Sequence, residues 1–389
     1  MRSVGVVTTS RADYSAYRPI LSAFQVEPDI SAKLFVSGMH LAPEFGSTVR
    51  TIENDGFAIA ERIEMLLASD TPEAIVKSMG IGLIGFSQAF RWSRPDILLV
   101  LGDRYEMLTA ALAALPFKIP VAHLCGGELT QGAMDDALRH SITKLSHLHF
   151  TSTEIYARRV IQLGEDPTCV FVSGEPALDN ILSTRQLTFE ELHRRFGVNM
   201  ERPFLLVTYH PVTLEYEQTC YQIDELLAAL ESTCFPVIFT MPNADTSGRV
   251  ISNRIAQWIQ SHPKTGIAVD SFGPEAYYNV LRRAAAVVGN SSSGIIEAAS
   301  FKVPVVNIGT RQQGRIRAAN VIDVGYKRAD ILEAIQTAVS DAFRQSLHSM
   351  ENPYASRTNT AVSTIVNVLK RVDLNNSLLQ KKFHDIERC

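Results

Sequence analysis

Acidic residues follow two apolar runs in the first half of the chain, where they could carry out acid–base chemistry. Asp103 follows the run 97–101, and Glu128 and Asp135 follow the run 120–124, beyond a glycine pair. Carboxylates that crowd together raise one another's pKa, as proton transfer near neutral pH requires. The same residues also suit a solvated acidic turn with ordinary helix caps. The pattern therefore predicts either a cluster of catalytic acids or a set of capping residues.

Polar and cationic residues stand at comparable positions elsewhere. Arg11 follows the first apolar run of the chain, directly before a helical pattern, and Arg104 follows Asp103. An arginine between a strand and a helix can hold a phosphate group, although a surface capping loop explains Arg11 equally well. Asn243 lies in a similar loop of the second half and by itself indicates little.

The segment 289–297 has the strongest local pattern, with three serines flanked by glycines. Hydroxyl residues at a helix start, here Ser291 and Ser292, present hydrogen-bond donors to a phosphate. Glu297 could accept hydrogen bonds from a ribose diol, and Arg311 adds positive charge beyond the next strand. The segment is neither a P-loop nor a GxGxxG fingerprint, so neither ATP nor NAD is indicated. A serine-rich helix cap is the alternative.

A histidine ends another apolar run of the second half. His210 stands two residues after the run 204–208, at a strand end where its imidazole could face a ligand. A single histidine is more often structural than catalytic, so His210 gains weight only from its neighbours.

Apolar runs alternate with helical patterns along the chain. Continuous apolar strands separated by helices are typical of parallel sheets, which bind ligands at the carboxyl ends of their strands. The charged stretch 188–202 separates two such series. We therefore predict an α/β protein of two Rossmann-like domains, residues 1–180 and 181–370, with a tail of residues 371–389. The predicted strands are 4–9, 33–36, 97–101, 120–124, 204–208, 237–240, 267–269, 286–288 and 303–307.

The composition excludes several classes of protein. The 389 residues include 37 Lys and Arg against 41 Asp and Glu, and the formal net charge of -4 excludes a strongly basic protein that coats nucleic acid. The five cysteines form no metal-spaced pair, and their odd number does not suit a disulfide framework. The N-terminal apolar run is too short for a signal peptide or a membrane span. We expect a cytoplasmic protein without a nucleic-acid or membrane partner and without a metal cluster.

The polar segments form a set in a fixed order. They are SRADY at 10–14, GDRYE at 102–106, HLCGGE at 123–128, DDALRHSITK at 135–144, TYHP at 208–211, GNSSSGIIE at 289–297 and GTRQQGR at 309–315. This set resembles that of the hydrolysing UDP-N-acetylglucosamine 2-epimerases of sialic acid biosynthesis. The resemblance implies a GT-B-like fold, with the nucleotide sugar in a cleft between two Rossmann-like domains and a C-terminal tail packed on the first domain.

The resemblance also implies a reaction. UDP leaves by anti elimination to give a 2-acetamidoglucal, and addition of water then releases N-acetylmannosamine. This chemistry needs a base at C2, stabilisation of the departing diphosphate and an acid that reprotonates C2 from the other face. Carried over by motif, the catalytic residues are Asp103, Asp135 and His210. The expected UDP-binding residues are Ser291, Ser292, Glu297 and Arg311, with Arg11 on the phosphates and with Arg104 and Asn243 as weaker substrate contacts. No cofactor is implied.

One residue departs from the family pattern. Several relatives carry a catalytic glutamate at the position that Cys125 occupies here. Glu128 takes this role, or Asp103 and Asp135 do more of the work, or the Cys125 thiol itself acts as acid and base.

The resemblance leaves alternatives for the sugar and the reaction. UDP-N-acetylglucosamine is the expected substrate, and UDP-N,N'-diacetylbacillosamine, which would give 2,4-diacetamido-2,4,6-trideoxymannose for legionaminic acid, is the alternative. A non-hydrolysing epimerase, a GT-B glycosyltransferase and a silent nucleotide-sugar binding protein are further possibilities. The resemblance also implies a homodimer or homotetramer, with contacts through apolar helices around residues 81–90.

Overall fold

The computed structural model describes residues 1–69, 71–242, 247–356 and 359–386. Contacts divide the chain into two compact units. The first unit comprises Met1–Glu128, Asp135–Asn180 and Tyr354–Cys389, and the second comprises Leu129–Met134 and Ile181–Pro353. The chain therefore enters the second unit twice, the first time only for the short segment between Glu128 and Asp135.

Each unit is built on a parallel sheet. The strands are β1 (Arg2–Thr8), β2 (Ile30–Ser37), β3 (Ile59–Ile63), β4 (Ile97–Leu101), β5 (Val121–Leu124), β6 (Leu148–Thr151), β7 (Val170–Val172), β8 (Leu205–Thr208), β9 (Val237–Thr240), β10 (Gly266–Val269), β11 (Ala286–Gly289), β12 (Val305–Ile308) and β13 (Val321–Val324). Across the described residues, the first sheet has the order β3-β2-β1-β4-β5-β6-β7 and the second has the order β10-β9-β8-β11-β12-β13. All strand pairs in both sheets are parallel.

Helices connect the strands. They are α1 (Arg11–Val26), α2 (Val49–Asn54), α3 (Pro72–Trp92), α4 (Tyr105–Ala114), α5 (Asp135–Leu145), α6 (Glu154–Gln162), α7 (Pro176–Ser183), α8 (Phe189–Phe196), α9 (Thr219–Glu231), α10 (Gly248–Ser261), α11 (Gly273–Leu281), α12 (Ser292–Ile296), α13 (Arg328–Val339), α14 (Asp341–Ser346), α15 (Ala361–Arg371) and α16 (Asn376–Leu379). The chain passes from the first unit to the second within α7.

The central strands of both sheets are buried on both faces. The side chains of Ile97, Leu98, Leu99 and Val100 in β4 are fully buried, and β8 is buried along its whole length. Burial on both faces explains why these strands have continuous apolar sequences rather than alternating ones. The structure confirms the predicted α/β architecture of two Rossmann-like units, and every predicted run contributes a strand.

The C-terminal segment differs from the prediction. Residues 354–370, which the sequence assigns to the second domain, belong to the first unit. Helix α15 packs against α1, and the Lys370 ammonium lies 2.8 Å from carboxylate oxygens of both Glu27 and Asp29. Farther along, the backbone N–H of His384 donates to the oxygen of Gly164 at 2.9 Å. The amphipathic face of α15 thus completes the first unit's core, so the return to that unit begins before residue 371.

Candidate active site

A buried arginine on α5 links three loops of the first unit. Arg139 is 2 % exposed, and its Nη2 donates a hydrogen bond to Oδ2 of Asp103 in the turn after β4. Its Nη1 donates to the backbone oxygen of Cys125 at 2.8 Å and lies 3.9 Å from Oε2 of Glu128. The guanidinium therefore gathers two of the predicted acids, Asp103 and Glu128, around one positive charge.

Glu128 and Asp135 are both buried. The hydroxyl of Ser152 donates to Oε1 of Glu128 at 2.8 Å, which fixes the orientation of this carboxylate. Asp135 is the first residue of α5 and precedes Arg139 by about one turn, so both side chains lie on one face of the helix. The structure thus brings Asp103 and Glu128 together at Arg139 and places Asp135 on the same helix face.

Cys125 lies at the end of β5 in a left-handed conformation, with φ of 60°. Its buried thiol donates to Oε2 of Glu175 at 3.2 Å. Burial raises the pKa of the Cys125 thiol well above its usual value, and the carboxylates of Glu175 and Glu128 raise it further. The thiol is therefore protonated at neutral pH, which disfavours Cys125 as the base of a reaction.

Glu175 is absent from the residues predicted from sequence. It lies three residues beyond β7, in the stretch Ser-Gly-Glu-Pro, and is 6 % exposed. Because β7 has only three residues, its sequence gives a weak strand pattern. A short β-branched run before Gly-Glu-Pro is the signal that could have revealed this acid.

Cys125, Glu128 and Glu175 lie close enough together to hold a metal ion. One ligand atom from each lies within 4.8 Å of the other two, and in the described part of the chain no other group of three such residues meets this spacing. The guanidinium of Arg139 stands beside Glu128 and Cys125 and already supplies positive charge there. The positive charge beside Cys125, Glu128 and Glu175 is therefore that of the Arg139 guanidinium.

Arg11 is the first residue of α1, so it stands at a helix start with no intervening loop. The turn before it is fixed by Asp13, whose buried carboxylate accepts hydrogen bonds from the backbone N–H and the hydroxyl of both Thr9 and Ser10, at 2.8 to 3.2 Å. This capping arrangement holds Arg11 at the carboxyl end of β1.

Arg104 pairs with the neighbouring acid Glu106. Its Nε and Nη2 donate to Oε2 and Oε1 of Glu106, each at 3.2 Å, and the Glu106 side chain is fully buried. A bidentate ion pair of this kind neutralises the guanidinium locally. The pairing disfavours Arg104 as a direct ligand of an anionic substrate.

His123 in β5 supports the turn that carries Asp103. Its Nε2 lies 2.8 Å from the backbone oxygen of Gly102, and because a carbonyl only accepts, Nε2 is the protonated nitrogen. Burial lowers the pKa of His123 to about 3. The ring is therefore neutral and acts as a structural donor.

In the second unit, Asn290 holds the backbone of His210. The Asn290 Oδ1 accepts from the N–H of His210 at 2.7 Å, and its Nδ2 donates to the His210 oxygen at 2.8 Å. Both residues are buried and follow neighbouring strands, β8 and β11. These two hydrogen bonds to the His210 backbone fix the position from which its side chain projects.

The serine segment after β11 forms a short helix. Ser291 is the N-cap of α12, where its hydroxyl accepts from the N–H of Ser293 at 3.3 Å, and Ser292 is the first helical residue. The Tyr277 hydroxyl lies 2.6 Å from Oγ of Ser293. Burial raises the pKa of Tyr277, and the carboxylate of Glu297, the C-cap of α12, raises it further. Ser291 and Glu297 thus stand at the two ends of one five-residue helix.

The loop after β12 returns to Asn290. Arg311 donates through Nη1 to the Asn290 oxygen at 3.2 Å, and the buried Gln312 donates through Nε2 to the same oxygen at 2.8 Å. His210 and Arg311, two of the predicted residues, thus both hydrogen-bond to Asn290, which directly precedes Ser291 and Ser292 in the chain. Asn243 lies outside the described residues.

Residues 22–370 match the family described as UDP-N-acetylglucosamine 2-epimerase, which covers most of the chain. The chain belongs to this epimerase family. The polar sequence motifs of this chain lie at the carboxyl ends of the central strands of the two sheets.

Relatives of this epimerase are similar over their full length. It is 39% identical over 388 residues to the GDP/UDP-N,N'-diacetylbacillosamine 2-epimerase (hydrolyzing) of Campylobacter jejuni, covering 99% of both chains. It is 36% identical over 391 residues to the polysialic acid biosynthesis protein P7 of Escherichia coli, covering 100% of this chain and 99% of the relative.

Solved structures confirm the fold of this epimerase. The UDP-GlcNAc 2-epimerase of Neisseria meningitidis, bound to UDP-GlcNAc, aligns with a TM-score of 0.79 at 18% identity over 94% of this chain and 99% of that one. The GT-B-like fold expected from sequence is thus confirmed. Within the described residues, no helix combines the length and the apolar character that crossing a membrane requires.

Proposed function

We propose that this epimerase is a hydrolysing UDP-sugar 2-epimerase, which releases UDP and a free sugar of manno configuration. One observation carries the proposal. The first unit gathers Asp103 and Glu128 around the buried Arg139, in a chain that is 39% identical to a relative named as hydrolyzing. A buried acid, Glu128, beside a partly buried one, Asp103, is the kind of carboxylate cluster that proton transfer at carbon needs.

The proposed reaction has two steps. First, a carboxylate takes the proton from C2 while the bond from C1 to the UDP oxygen breaks, leaving a C1–C2 double bond and the UDP anion. Then the hydroxyl of a water molecule bonds to C1, its remaining proton passes to a protein base, and a protein acid delivers a proton to the opposite face of C2. The sum is UDP-sugar plus water to UDP plus the 2-epimeric free sugar.

We assign the proton transfers to the first unit. Asp103, hydrogen-bonded to Arg139, suits the base that takes the C2 proton, since the guanidinium holds its carboxylate in place. Glu128, oriented by Ser152, suits the acid that returns a proton, and Asp135 is the third acid of the set. Glu128 thus takes the role of the glutamate that Cys125 replaces.

We assign the nucleotide to the second unit. His210, Ser291, Ser292 and Arg311 would donate to the diphosphate, and Glu297 would accept from the ribose hydroxyls. Arg11, the first residue of α1, remains a candidate for phosphate binding. Arg104, neutralised by Glu106, is a weaker candidate, and Asn243 remains a candidate from sequence alone.

We propose UDP-N,N'-diacetylbacillosamine as the substrate, because the 39% identical relative carries that sugar in its name. UDP-N-acetylglucosamine is the second candidate, supported by the description of the family. We place the reaction in a reducing cytoplasm, consistent with Cys125, Cys169, Cys220 and Cys234 all being free thiols. The residues assigned above meet the charge of the departing UDP without a cofactor.

We also propose self-association through α3. The predicted contact helix does not expose Phe86 or Phe90, which are fully buried. Its outer face instead presents Ile81, Ile84 and Trp92, which are 40%, 63% and 76% exposed. At about 100° per residue these three side chains lie within about 80° of one another around the helix, so they form one stripe along it. A second copy of the chain would cover them.

Product analysis tests the proposed reaction. Purified protein is incubated with each UDP-sugar, and the products are separated by anion-exchange chromatography. We expect free UDP and a free sugar, formed faster from the diacetamido substrate. Formation of a second UDP-sugar without free UDP would instead identify a non-hydrolysing epimerase.

A further inference from the structure

Glu215 is a polar residue of the second unit that no motif marks. It follows β8 in the same loop as His210, and its carboxylate accepts three hydrogen bonds. The Thr310 hydroxyl donates to Oε1 at 2.6 Å, and the Tyr326 hydroxyl donates to Oε2 at 2.7 Å. Nε2 of Gln222 on α9 donates to Oε2 at 2.8 Å. One side chain thus connects the loop after β8 to α9 and to the loops after β12 and β13.

Two contacts of Tyr326 complete this arrangement. Its hydroxyl also accepts a hydrogen bond from the backbone N–H of Thr310 at 3.2 Å. Its ring packs so closely against Gly309, which has a φ of 76°, that a Cβ there would lie 2.1 Å from a ring carbon. Thr310 is therefore held through both its side chain and its backbone.

Thr310 directly precedes Arg311 in the loop after β12. Glu215 holds this loop through neutral donors, and within the described residues it forms no ion pair. This arrangement differs from that of Arg104, whose charge is neutralised by Glu106. The Arg311 guanidinium therefore keeps its positive charge for an anionic ligand.

The same carboxylate is connected to the neighbour of His210. Tyr209 is fully buried directly after β8, and its hydroxyl donates to Oε1 of Gln222 at 3.1 Å. Because Nε2 of Gln222 donates to Glu215, both polar atoms of this amide are hydrogen-bonded. Glu215 is therefore linked by hydrogen bonds to the loop of Arg311 and to the residue beside His210.

We propose that Glu215 is a positioning residue for nucleotide binding, which holds the Thr310 side chain and so fixes the backbone from which Arg311 reaches the diphosphate of UDP. The proposal rests on the proposed function, in which Arg311 donates to that diphosphate. A carboxylate forms stronger hydrogen bonds than a neutral acceptor, and three donors converge on this one. The loop is thus ordered before UDP arrives, which lowers the entropic cost of binding.

Calorimetric titration with UDP tests the proposal without requiring turnover. Glu215→Ala removes all three hydrogen bonds, and we expect the Kd for UDP to rise on the order of tenfold. Glu215→Gln restores most of the network, because its amide oxygen accepts from Tyr326 and Gln222 while its amide nitrogen donates to the Thr310 hydroxyl. We expect its Kd to stay within about threefold of wild type. Wild-type affinity in Glu215→Ala would overturn the proposal.

A double-mutant cycle tests whether Glu215 acts through Thr310. Thr310→Val removes the hydroxyl but keeps the shape of the side chain, and we expect it to raise the Kd for UDP by about threefold to tenfold. Since both changes break the same hydrogen bond, Glu215→Ala combined with Thr310→Val should add little beyond the larger single effect. Effects that multiply independently would overturn the proposal, because Glu215 would then act by another route.

Glu225→Ala is the matched control. Like Glu215, Glu225 is a partly exposed acid of the second unit, and its Oε2 accepts from the backbone N–H of Arg328 at 2.6 Å. We expect this variant to lower the melting temperature and keep the wild-type Kd for UDP. An equal rise in Kd in both alanine variants would overturn the proposal, since the effect would then come from a general loss of stability.

Tyr326→Phe provides the test if Glu215→Ala does not fold. This variant removes one donor to Glu215 and keeps the aromatic ring, and we expect it to raise the Kd for UDP by about threefold. Wild-type affinity in both Tyr326→Phe and Thr310→Val would overturn the proposal.

The titration and the product analysis fail independently. If the wild-type protein binds UDP but releases no free sugar from either UDP-sugar, the proposed reaction fails while the titrations still decide the role of Glu215. A wild-type protein that binds no UDP would overturn both proposals.

Discussion

The Asn290 side chain hydrogen-bonds to both the backbone N–H and the backbone oxygen of His210, 80 residues away in sequence, at 2.7 and 2.8 Å. The same asparagine accepts hydrogen bonds from Arg311 and Gln312 at its own backbone oxygen. Its position therefore sets the backbone of His210 and the side chains of Arg311 and Gln312 at once. Both hydrogen bonds to His210 involve its backbone and not its imidazole. Asn290 therefore affects a reaction of the imidazole by fixing where the His210 backbone lies.

Replacing Asn290 tests this coupling. Asn290→Asp keeps the acceptor for the His210 N–H but loses the donor to its oxygen, and we expect kcat/KM to fall on the order of tenfold. The matched control is Asn320→Asp, which removes a buried donor to the Val303 oxygen elsewhere in the same unit. The control is expected to lower the melting temperature and keep kcat/KM. Equal losses of kcat/KM in both variants would contradict a specific role for Asn290.

Glu128→Gln tests the assignment of the returning acid. The amide retains the hydrogen bond from Ser152 by accepting it at Oε1 but cannot donate a proton as a carboxylic acid does. We expect turnover to fall by roughly a hundredfold or more, the scale typical of a general acid or base, with the fold intact by circular dichroism. Near-normal turnover would remove Glu128 from the mechanism and leave Asp103 and Asp135 as the acids.

Replacing Gly132 tests whether UDP binding depends on the close packing of Gly132 against the loop that carries Arg311. A Cβ at Gly132 would lie 2.7 Å from the carbonyl carbon of Thr310 and 2.8 Å from Cα of Arg311, and backbone atoms there cannot move aside cheaply. We expect Gly132→Ala to weaken UDP binding on the order of tenfold in a calorimetric titration. Gly325→Ala is the control, because a Cβ there meets no atom within 4 Å. Wild-type affinity in Gly132→Ala would show that the Arg311 loop tolerates displacement.

Histidine burial predicts how stability depends on pH. Burial lowers the pKa of His123 to about 3, against about 6.5 in an unfolded chain. Below about pH 6.5 His123 binds a proton in the unfolded state but not in the folded state. Stability therefore falls as pH falls from about 6.5 towards 3. One such group changes the unfolding free energy by at most about 1.4 kcal/mol per pH unit.

His123→Gln removes this titration while keeping a donor that can reach the Gly102 oxygen. We expect the variant to lose less stability than wild type between pH 7 and 5 in urea unfolding. The exposed His348 provides the control, because His348→Gln is expected to follow the wild-type pH dependence. A wild-type slope in His123→Gln would contradict the buried neutral state of this ring.

The exposed stripe on α3 predicts a measurable assembly. We expect light scattering to give a mass of two or four chains for wild type, and half of that or less for Ile84→Glu, because a buried charge disfavours an apolar interface. Val26→Glu is the control, since Val26 is 83% exposed on α1 and not on α3. A monomeric wild type would remove the proposed interface.

The strands that sequence could predict are mostly the central ones. Strands β4 and β8 are buried on both faces, so their residues are apolar throughout. Strands β3, β7 and β13, which were not predicted, all lie at sheet edges, where one side faces fewer neighbours and polar residues intervene. Strand β6 is internal, but its buried His149, hydrogen-bonded to Glu165, interrupts the apolar pattern.

The candidate site likewise contains residues that the sequence could place and residues that only the structure could. Asp103, Glu128 and His210 follow predictable strands, so their placement at the strand ends could be foreseen. Glu175 and the Asn290–His210 hydrogen bonds could not, since Cys125 and Glu175 are 50 residues apart and meet only through the folded sheet. The ion pair of Arg104 with Glu106 also required the structure, because two residues so close in sequence do not normally face each other.

The most direct test of the central claim is proton NMR of the reaction in D2O, with UDP-N,N'-diacetylbacillosamine and UDP-N-acetylglucosamine in parallel. We expect free UDP together with a free sugar of manno configuration that carries deuterium at C2, since the proton returned to C2 comes from solvent through the protein acids. Release of a free sugar that keeps its gluco configuration and its C2 proton would contradict the proposed reaction, because neither elimination nor reprotonation would have occurred.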